Sequence, residues 1–454
     1  MKLTCRVFFL TLFFPVLLNA QEAGLLRLKA DRPAQEGEAA VWGGVEEGRF
    51  KTTSDAVFQW SAGADAKIAR HGKTTSFSGA LSFEQMMGTG MSGSMMLEPG
   101  YYPIDLLETG RGTKSRQTGR LEAAILTDLG QEWAAGLKAS AKVMNSTKNQ
   151  DVRHSAFGVD VQLEPTLTYV MDDDMGFISS YFFRYRTEQV KARDGETVLF
   201  LDKGMRYGKM VEGLSVFPVQ EQAHGFNELF YSPDISVGFG MAWKRGTAGE
   251  KDYGRHWFPE HVLNASLEYT YQADNADHVF RFSYGRVHGK LKEADTNDLL
   301  YDRKKRTPGF KYEARLLNST LKGIGLELEV NRWTERAWTP LLYDSYLGYN
   351  GAATLFSSFG FGPVDVSLNV LGAGGFIIRD PESDREKPEN MHDDWLRNIE
   401  YRTTPRVGMG GTLTYHISSS LYVQLYGYWH RAFSVTYLGG KNREIGTLKV
   451  GYKF

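Results

Sequence analysis

The amino-acid sequence predicts an all-β fold: a transmembrane, antiparallel, up-and-down β-barrel of the outer-membrane type with about eighteen strands. Three observations predict this fold. They are a closing strand that ends on an aromatic residue, apolar and polar residues that alternate along most of the chain, and connections that alternate between short and long.

The carboxyl terminus carries the clearest strand. Leu448, Val450, Tyr452 and Phe454 occupy every second position, so they lie on one face of a strand, and the chain stops on the aromatic Phe454. Bacterial outer-membrane barrels close on a last strand of this kind and present it to the insertion machinery. We therefore assign Tyr452 and Phe454 to barrel closure.

The amino terminus carries the pattern of a secretory signal. Lys2 and Arg6 form a short basic region, the apolar run Val7–Leu18 follows, and Ala20 offers a small residue for cleavage. The run is too short to span a bilayer as a helix. The predicted division of the chain is a signal peptide at 1–20, a short periplasmic or lumenal segment at 21–37 and the barrel at 38–454.

Composition narrows the class of protein. The chain has 454 residues, 24% of them charged and 13% aromatic, with a formal net charge of -1. A mean hydropathy of -0.37 excludes a bundle of membrane-spanning helices but suits a barrel, in which only alternate strand residues meet lipid. The balanced charge argues against a nucleic-acid partner. Cys5 lies in the predicted signal, so the mature chain would carry no disulfide and no thiolate site.

Alternation predicts long strands along almost the whole mature chain. Apolar residues occupy every second position in stretches such as Phe58–Ile68, Trp133–Val143 and Leu263–Tyr271, with polar residues between them. A soluble β-sandwich also alternates, but its strands are shorter. Long strands favour a membrane barrel that is apolar outside and polar inside. The first strand is predicted at Glu38–Lys51.

The connections supply the strand count. Short turns are predicted at His71–Thr75, Gly130–Glu132, Asp172–Gly176, Tyr231–Asp234, Ala273–Asp277, Asn318–Lys322, Gly360–Pro363 and Ile417–Ser420. Long connections are predicted at Gly88–Arg116, Asn145–Ser155, Lys191–Ala223, Arg245–Glu260, Lys292–Pro308, Glu335–Asn350 and Arg379–Thr403. Their alternation gives about eighteen strands with both termini on the periplasmic side. The strand at Phe226–Tyr231 is the weakest, and without its hairpin the count falls to about sixteen.

Outward aromatic residues are predicted to form two belts, because amphipathic rings are favoured at the headgroup level on both sides of a bilayer. The predicted periplasmic belt comprises Trp133, Tyr169, Phe177, Tyr271, Phe280, Tyr415, Tyr452 and Phe454. The predicted outer belt comprises Trp60, Tyr185, Trp243 and Trp429.

Inward positions carry charges of both signs. The lumen-facing candidates are Lys67, Glu84, Arg120, Glu122, Lys138, Arg184, Arg186, Glu327 and Glu329. Such residues need water or one another, and an eighteen-stranded barrel has room for water. We therefore predict a non-enzymatic channel for small hydrophilic solutes, or the membrane component of a nutrient-uptake system, that selects by lumen charge and loop constriction.

Two alternatives stay open. One is a non-conducting scaffold whose long extracellular loops engage a surface lipoprotein or a ligand. The other is an outer-membrane lipase, which would need an activated serine beside His416 or His430, and the sequence places no inward serine near either. No cofactor and no metal are predicted. The predicted partners are outer-membrane lipids, lipopolysaccharide, and a surface lipoprotein or nutrient receptor.

Three motifs resemble known sites without the context that those sites need. Gly88–Gly93 spells G-x-G-x-x-G but opens no helix of a βαβ unit, so we predict a flexible loop start. His256–His261 has one residue too many for H-x-x-E-H; a metal site formed together with Asp252 stays open as an alternative, and the preferred prediction is an aromatic-rich external loop. Asp172–Asp174 lacks the spaced ligands of a calcium loop and is predicted to be a solvated turn.

The hairpin from Phe58 to Thr74, the strand Phe77–Phe83 and the later His224–Phe226 resemble the landmarks of an uncharacterised family of Bacteroidota outer-membrane barrels. The resemblance implies a barrel fold over most of the mature chain. Members of that family resemble accessory proteins encoded near nutrient receptors, which modestly favours an uptake role. The resemblance implies no functional residues.

Two long connections carry apolar clusters that are costly to leave in water. In Gly88–Arg116 and Lys191–Ala223 these clusters are Met95-Met96-Leu97, Tyr101-Tyr102, Val198-Leu199-Phe200-Leu201, Leu214, Val216 and Phe217. We therefore expect at least one of the two connections to fold inward over the barrel mouth or to meet a partner.

Overall fold

The structure is a computed structural model that describes residues 35–148, 153–172, 175–192, 198–249, 254–317, 319–339, 342–379 and 389–454. The predicted signal peptide at 1–20 and most of the predicted segment at 21–37 lie outside these residues.

Eighteen strands close into one antiparallel barrel, as the sequence predicts. Each barrel strand pairs with the next along the chain, and the last pairs with the first. The barrel strands are β1 (Gln35–Gly48), β2 (Phe58–His71), β3 (Thr75–Ser94), β4 (Asp105–Asp128), β5 (Trp133–Lys148), β6 (His154–Asp172), β7 (Met175–Ala192), β10 (Val216–Tyr231), β11 (Ile235–Ala248), β12 (His256–Ala273), β13 (Ala276–Glu293), β14 (Leu299–Leu316), β15 (Leu321–Thr339), β16 (Leu342–Phe361), β17 (Val364–Arg379), β18 (Arg406–His416), β19 (Leu421–Ala432) and β20 (Asn442–Lys453). Two short strands, β8 (Leu199–Asp202) and β9 (Gly208–Val211), form a separate hairpin.

Strand β10 decides between the two predicted counts. It has 16 residues and pairs along its length with β7 and β11, so the hairpin that was the weakest in the sequence is a full part of the barrel. The short turns and both barrel termini lie at one end, called the short-turn end. The opposite end, called the long-loop end, holds the longer connections.

The outer surface of the barrel is apolar. On the closing strand, the side chains of Leu448, Tyr452 and Phe454 are 51%, 51% and 53% exposed. Outward leucines such as Leu81 on β3 and Leu121 on β4 are exposed to a similar degree. Because the barrel is closed, its strands leave no unpaired edge, which is what a lipid environment requires.

Aromatic contacts mark both rims of this surface. At the short-turn rim, the ring centroids of Trp133 and Tyr169 lie 4.7 Å apart. Toward the long-loop end, Trp243 stacks on His224 at 5.5 Å. Both tryptophans belong to the belts predicted from the sequence.

The strands extend further toward the long-loop end than the sequence predicts. Strand β4 has 24 residues, whereas about ten span a bilayer. Here the outer face is polar: His288 Nε2 and Asp302 Oδ1, both on outward positions, lie 2.6 Å apart. With both faces polar, the apolar alternation that marks a strand disappears. The predicted extents of six long connections are therefore wrong, namely Gly88–Arg116, Asn145–Ser155, Lys191–Ala223, Arg245–Glu260, Lys292–Pro308 and Glu335–Asn350.

The glycine-rich stretch Gly88–Gly93 belongs to β3 and is not the loop start that we predicted. The register to β4 shifts between Gly88 and Met91 and again between Met91 and Gly93. Gly90 and Gly93 have φ angles of 69° and 77°, which side-chain-bearing residues rarely adopt. The glycines therefore form bulges, which bend a strand and redirect the residues that follow.

The connection between β17 and β18 contains the helix α1 (Glu389–Thr403). The sequence predicts a long connection here, at Arg379–Thr403, but no helix. Trp395 and Ile399 lie four residues apart on one face of the helix, and both are buried. The helix ends before Pro405, whose ring cannot continue it. None of the described residues forms a helix that is long and apolar enough to cross a membrane.

Both long apolar connections fold into the barrel. Residues 95–104, between β3 and β4, and residues 198–215, which contain the β8–β9 hairpin, pack with α1 into one buried cluster. The cluster also contains inward residues of β5–β7 and β10–β16, so the folded connections contact the inner wall around much of the circumference. The expectation that at least one connection folds inward is confirmed for both.

A smaller cluster covers the remaining wall at the long-loop end. Phe50, Ala432 and Leu438 are buried together, and Tyr401 of α1 packs against them. The ring centroids of Phe50 and Tyr401 lie 5.1 Å apart. The connections on either side of β1 and β20 therefore join α1 in closing this end.

Deleting Phe454 should lower the yield of folded barrel. Phe454 N donates to Gly37 O at 3.0 Å, and Gly37 N donates to Phe454 O at 2.8 Å, so the last residue fastens β20 to β1. The measurement is the heat-modifiable fraction of the protein in the membrane on gel electrophoresis. Deleting the exposed Asp295, between β13 and β14, is the control. Equal folded yields for the two deletions would contradict the role in closure.

Candidate functional site: the plug and the cavity beneath it

Three segments that fold inward at the long-loop end are called the plug: residues 95–104, residues 198–215 and residues 389–404. The β8–β9 hairpin pairs with the start of β4, where Asp105 lies opposite Asp202 and Leu107 opposite Phe200. Arg206 Nε, between β8 and β9, donates to Asp394 Oδ2 of α1 at 2.6 Å. The three segments are therefore joined to one another as well as to the wall.

The tight turn of the β8–β9 hairpin is held by carboxylates. Met205 and Arg206 have φ angles of 54° and 63°, an unfavourable region for residues with side chains. Asp202 accepts hydrogen bonds from Gly204 N at 2.9 Å and from the Arg206 guanidinium. With Asp394 bound to the same guanidinium, the side chains hold a backbone that would otherwise relax.

Helix α1 is fastened on two sides. Arg402 Nη1 donates to Glu335 Oε1 of β15 at 3.0 Å. Glu400 Oε2 accepts hydrogen bonds from the backbone N–H groups of Tyr437 and Leu438, each at 2.7 Å. The helix therefore bridges the wall and the connection between β19 and β20.

A carboxylate of the plug binds two cations of the inner wall. Glu98 accepts hydrogen bonds from Arg186 Nη1 of β7 at 2.6 Å and from the ammonium group of Lys142 on β5. The side chain of Arg186 is only 1% exposed. We call Glu98, Lys142 and Arg186 the Glu98 cluster.

Tyr101 adds an aromatic contact to the same wall. Its ring lies over the guanidinium carbon of Arg186, which is 4.0 Å from the ring centroid, and Lys244 Nζ is 5.1 Å away. Its hydroxyl donates to Glu221 Oε1 of β10 at 2.7 Å. Desolvated cation–π contacts of this kind are worth about 2 kcal/mol, so Tyr101 contributes to holding residues 95–104 in the lumen.

The wall also binds the backbone of residues 95–104. Leu97 N donates to Glu188 Oε1 at 2.6 Å. Arg303 Nη2 donates to Tyr101 O at 2.7 Å and to Glu260 Oε2 at 2.7 Å. Strands β5, β7, β10 and β14 therefore all contribute polar contacts to one short segment of the plug.

The surroundings of Glu98 decide its ionisation. Burial by itself would raise the pKa of this carboxyl, but the charges of Arg186 and Lys142 and their hydrogen bonds outweigh it and hold the pKa at about 2. Glu98 is therefore ionised at neutral pH, and its attachment to the wall depends on that charge.

Below the plug, a cavity of about 930 Å³, lined by charged and apolar residues, lies at the short-turn end. Its wall contains Lys67, Glu122, Lys138, Asp365 and His416, so both signs of charge are represented. Lys67 Nζ lies 3.0 Å from Glu38 Oε2. The cavity can hold a small polar molecule together with water.

The predicted lumen-facing residues are distributed over both levels of the lumen. Lys67, Glu122 and Lys138 line the cavity. Arg184 and Arg186 lie beside the plug, and Arg184 Nε donates to Asp160 Oδ1 at 2.7 Å. These two groups are separate, so the structure does not bring the predicted residues into one site.

The other four predicted residues lie on the wall. Glu329 accepts a hydrogen bond from Asn331 Nδ2 at 2.8 Å, and Glu327 lies directly opposite Lys311 of β14. Arg120 lies opposite Ser82 and Lys142, and Glu84 is two residues beyond Ser82 on the same strand face.

Several residues that hold the plug were missed by sequence reasoning. Glu188, Glu221, Glu260 and Arg303 all fell inside or at the edge of predicted long connections, where inward and outward positions are undefined. The alternation Arg184-x-Arg186-x-Glu188 is a signal that could have extended β7 and found Glu188.

The histidine candidates lie on strands β12, β18 and β19. His416 Nε2 lies 2.9 Å from Asp365 Oδ2, and His430 Nε2 is buried without a hydrogen-bond partner; among the described residues, neither ring is hydrogen-bonded to a serine. His256 and His261 open β12 rather than an external loop, and their odd spacing puts them on opposite strand faces. Within the described residues, which exclude Asp252 and two of the residues of Asp172–Asp174, no group of three metal-binding side chains is found.

The fold and the plugged polar lumen define an eighteen-stranded barrel of the outer-membrane type. The chain belongs to a family of unknown function, DUF6850, whose model matches residues 28–454. No curated protein sequence matches the chain.

Several solved proteins are similar in outline at low sequence identity. The ferripyoverdine receptor of the outer membrane of Pseudomonas aeruginosa is 9% identical, with a TM-score of 0.48 over 93% of this chain and 72% of that chain. The siderophore receptor PiuA from Acinetobacter baumannii is 9% identical, with a TM-score of 0.44 over 93% and 82%. OccAB4 from Acinetobacter baumannii is 9% identical, with a TM-score of 0.39 over 93% and 99%.

Acid should loosen residues 95–104. A carboxyl whose pKa falls from 4.5 to about 2 on folding stabilises the closed form above pH 4.5, and this stabilisation, about 3 kcal/mol, is lost as the pH falls toward 2. Pepsin cleavage of the detergent-solubilised barrel within residues 95–104 should therefore rise over this pH range.

The comparison that isolates Glu98 uses two glutamine variants. Glu98→Gln should be cleaved within residues 95–104 at every pH tested, without an increase in cleavage as the pH falls. Glu122→Gln, which removes a carboxylate of the cavity wall, should show the same pH-dependent increase as the unaltered protein. The same pH profile in all three proteins would show that Glu98 does not control the plug.

Proposed function

We propose that the protein is an outer-membrane barrel of a solute-uptake route, which passes small hydrophilic solutes through its lumen when the plug leaves the wall. The observation that carries this proposal is the way residues 95–104 are held. Ion pairs and hydrogen bonds join them to charged residues of the inner wall, among them Arg186, Glu188 and Arg303.

The charged wall beside the plug favours a lumen that is hydrated for part of the time. A buried ion pair gains little stability over well-packed apolar residues of similar volume. A barrel that never opened would be at least as stable with an apolar wall at Lys142, Arg186, Lys244 and Glu260. Once the plug moves away, water solvates these side chains and the charges no longer need partners.

The outer surface supports the proposed location. Outward residues are apolar along the barrel strands, and rings such as Trp133 and Tyr169 lie at the short-turn rim. Outer-membrane barrels place their short turns in the periplasm and their longer loops outside the cell. In this orientation the plug faces the exterior and the cavity opens toward the periplasm.

The cavity supports solutes of modest size. Its volume of about 930 Å³ falls within the range of sites that bind small molecules, about 300–1,000 Å³. Its lining places lysines and carboxylates beside apolar residues such as Ala123 and Val366, so it offers charged groups as well as apolar surface. The modest volume and the charged groups favour small solutes that carry polar groups over long-chain lipids.

The closed mouth also favours a second candidate function, a non-conducting scaffold. On the plug, Val198 and Met210 are 44% and 52% exposed. Apolar side chains that remain exposed beside a sealed lumen would suit contact with a surface lipoprotein. In that case the plug is permanent and its outer face is the working surface.

Shortening residues 95–104 should increase conductance. Replacing them with a three-residue glycine-rich turn removes Glu98, Tyr101 and the apolar cluster, so a polar path remains where the plug stood. In planar bilayers the variant should conduct several-fold more than the unaltered barrel. Deleting Asp295 and Thr296, from an exposed connection outside the lumen, is the control and should change nothing. An absence of conductance in all three proteins would rule out the channel.

Co-purification from native membranes should separate the channel from the scaffold. If the protein is a channel, the purified barrel should support solute flux, and this flux should not depend on a bound partner protein. A stoichiometric surface protein that is lost when Val198 and Met210 are changed to serine, together with no flux, would instead establish the scaffold. Changing the lipid-facing Leu81 to serine serves as the control for a general loss of apolar surface.

A further inference from the structure

The wall half of the Glu98 cluster has the composition of an anion-binding site. Lys142 and Arg186 lie on neighbouring parts of the inner wall, and both bind the one carboxylate that the plug supplies. A planar guanidinium beside an ammonium group is suited to carboxylate and phosphate oxygens. In the closed barrel, Glu98 is the occupant of this site.

The site has donors that Glu98 does not use. Arg186 Nε and Nη2 are buried without hydrogen-bond partners, and so is the Tyr102 hydroxyl. The Glu188 carboxylate lies 3.8 Å from Nη2, beyond hydrogen-bond distance. A buried donor without an acceptor is costly, so an anion with more oxygens than one side-chain carboxylate would satisfy the site better than Glu98 does.

The wall strands beside the site carry several cations. Arg120, Lys142, Asp160 and Arg186 lie directly opposite one another across β4, β5, β6 and β7. Both oxygens of Asp160 are bound by Arg184, whereas Arg186 also has Glu221 directly opposite it on β10 and Glu188 at 3.8 Å. Departure of the plug therefore removes the carboxylate that binds both Lys142 and Arg186.

We propose that Lys142 and Arg186 form a binding site for the anionic oxygens of a solute, carboxylate or phosphate, and that Glu98 occupies this site until the solute displaces it. This proposal rests on the proposed function, because it names the class of solute that would open the plug for uptake. The binding itself needs no transport and can be measured apart from it.

Binding is measured on the full-length barrel in detergent by isothermal titration with succinate, inorganic phosphate and glucose. Glu98→Gln removes the competing carboxylate, so succinate or phosphate should bind at least tenfold more tightly to this variant than to the unaltered barrel. Glu329→Gln removes one carboxylate from the lumen wall outside both the site and the cavity, where Glu329 accepts from Asn331 Nδ2, and should leave the affinity unchanged. Glucose, which is uncharged, should bind the variants no more tightly than it binds the unaltered barrel.

The cations are tested in the same background. Adding Lys142→Met or Arg186→Met to Glu98→Gln should abolish the gain, with folding checked by heat modifiability. A measurement on the unaltered barrel avoids any folding defect: succinate or phosphate, but not glucose, should increase chymotrypsin cleavage within residues 95–104, where Leu97 and Tyr101 are cleavable.

The outcomes divide cleanly. Tighter binding of succinate assigns the site to carboxylates, and tighter binding of phosphate assigns it to phosphorylated solutes; either supports the proposal. An equal gain in Glu329→Gln, or no gain and no added cleavage with either anion, overturns it. Anion binding without conductance would contradict the channel function and support the anion-binding site. Conductance without anion binding would support the channel function and contradict the site.

Discussion

One carboxylate, Glu98, is bound by two cations of the inner wall, and this contact ties residues 95–104 to strands β5 and β7. Lys142 and Arg186 point into a lumen that must either hold water or provide counter-charges. The plug provides the counter-charge and places Tyr101 over Arg186 at the same time. The apolar cluster around Met95 and Leu97 then excludes water, which strengthens the ion pairs beneath it.

The bilayer explains why so much of the fold was predictable from the sequence. A strand that crosses lipid must be apolar on its outer face and can be polar on its inner face, so alternation, aromatic belts and the terminal Phe454 all leave a local signal. The inward folding of two connections was predictable for a similar reason, because clusters such as Met95–Leu97 and Leu199–Leu201 are costly to leave in water. Alternation alone also predicts that the charges of Arg184 and Arg186 face the lumen.

The remainder depends on contacts that no local pattern records. Above the lipid both strand faces are polar, so β5 and β12 extend beyond their predicted bounds and Glu260 fell in a predicted loop. Helix α1 was missed because few apolar residues, among them Trp395, Ile399 and Tyr401, mark the faces by which it packs. The partners of Glu98 lie 44 and 88 residues away in the chain, and only the closure of the barrel brings them to it.

The central claim is that the plug is a movable gate and that solutes pass only when it leaves the wall. The mature barrel is predicted to lack cysteine, so cysteines at Leu97 and Glu188, whose backbone N–H and carboxylate are 2.6 Å apart, can be joined by a short bifunctional thiol reagent. Liposome swelling with a small hydrophilic solute then measures flux before joining and after a cleavable reagent is reduced. The account predicts flux that stops when the plug is tied to the wall and returns on reduction. Equal flux in the joined and free states would contradict it.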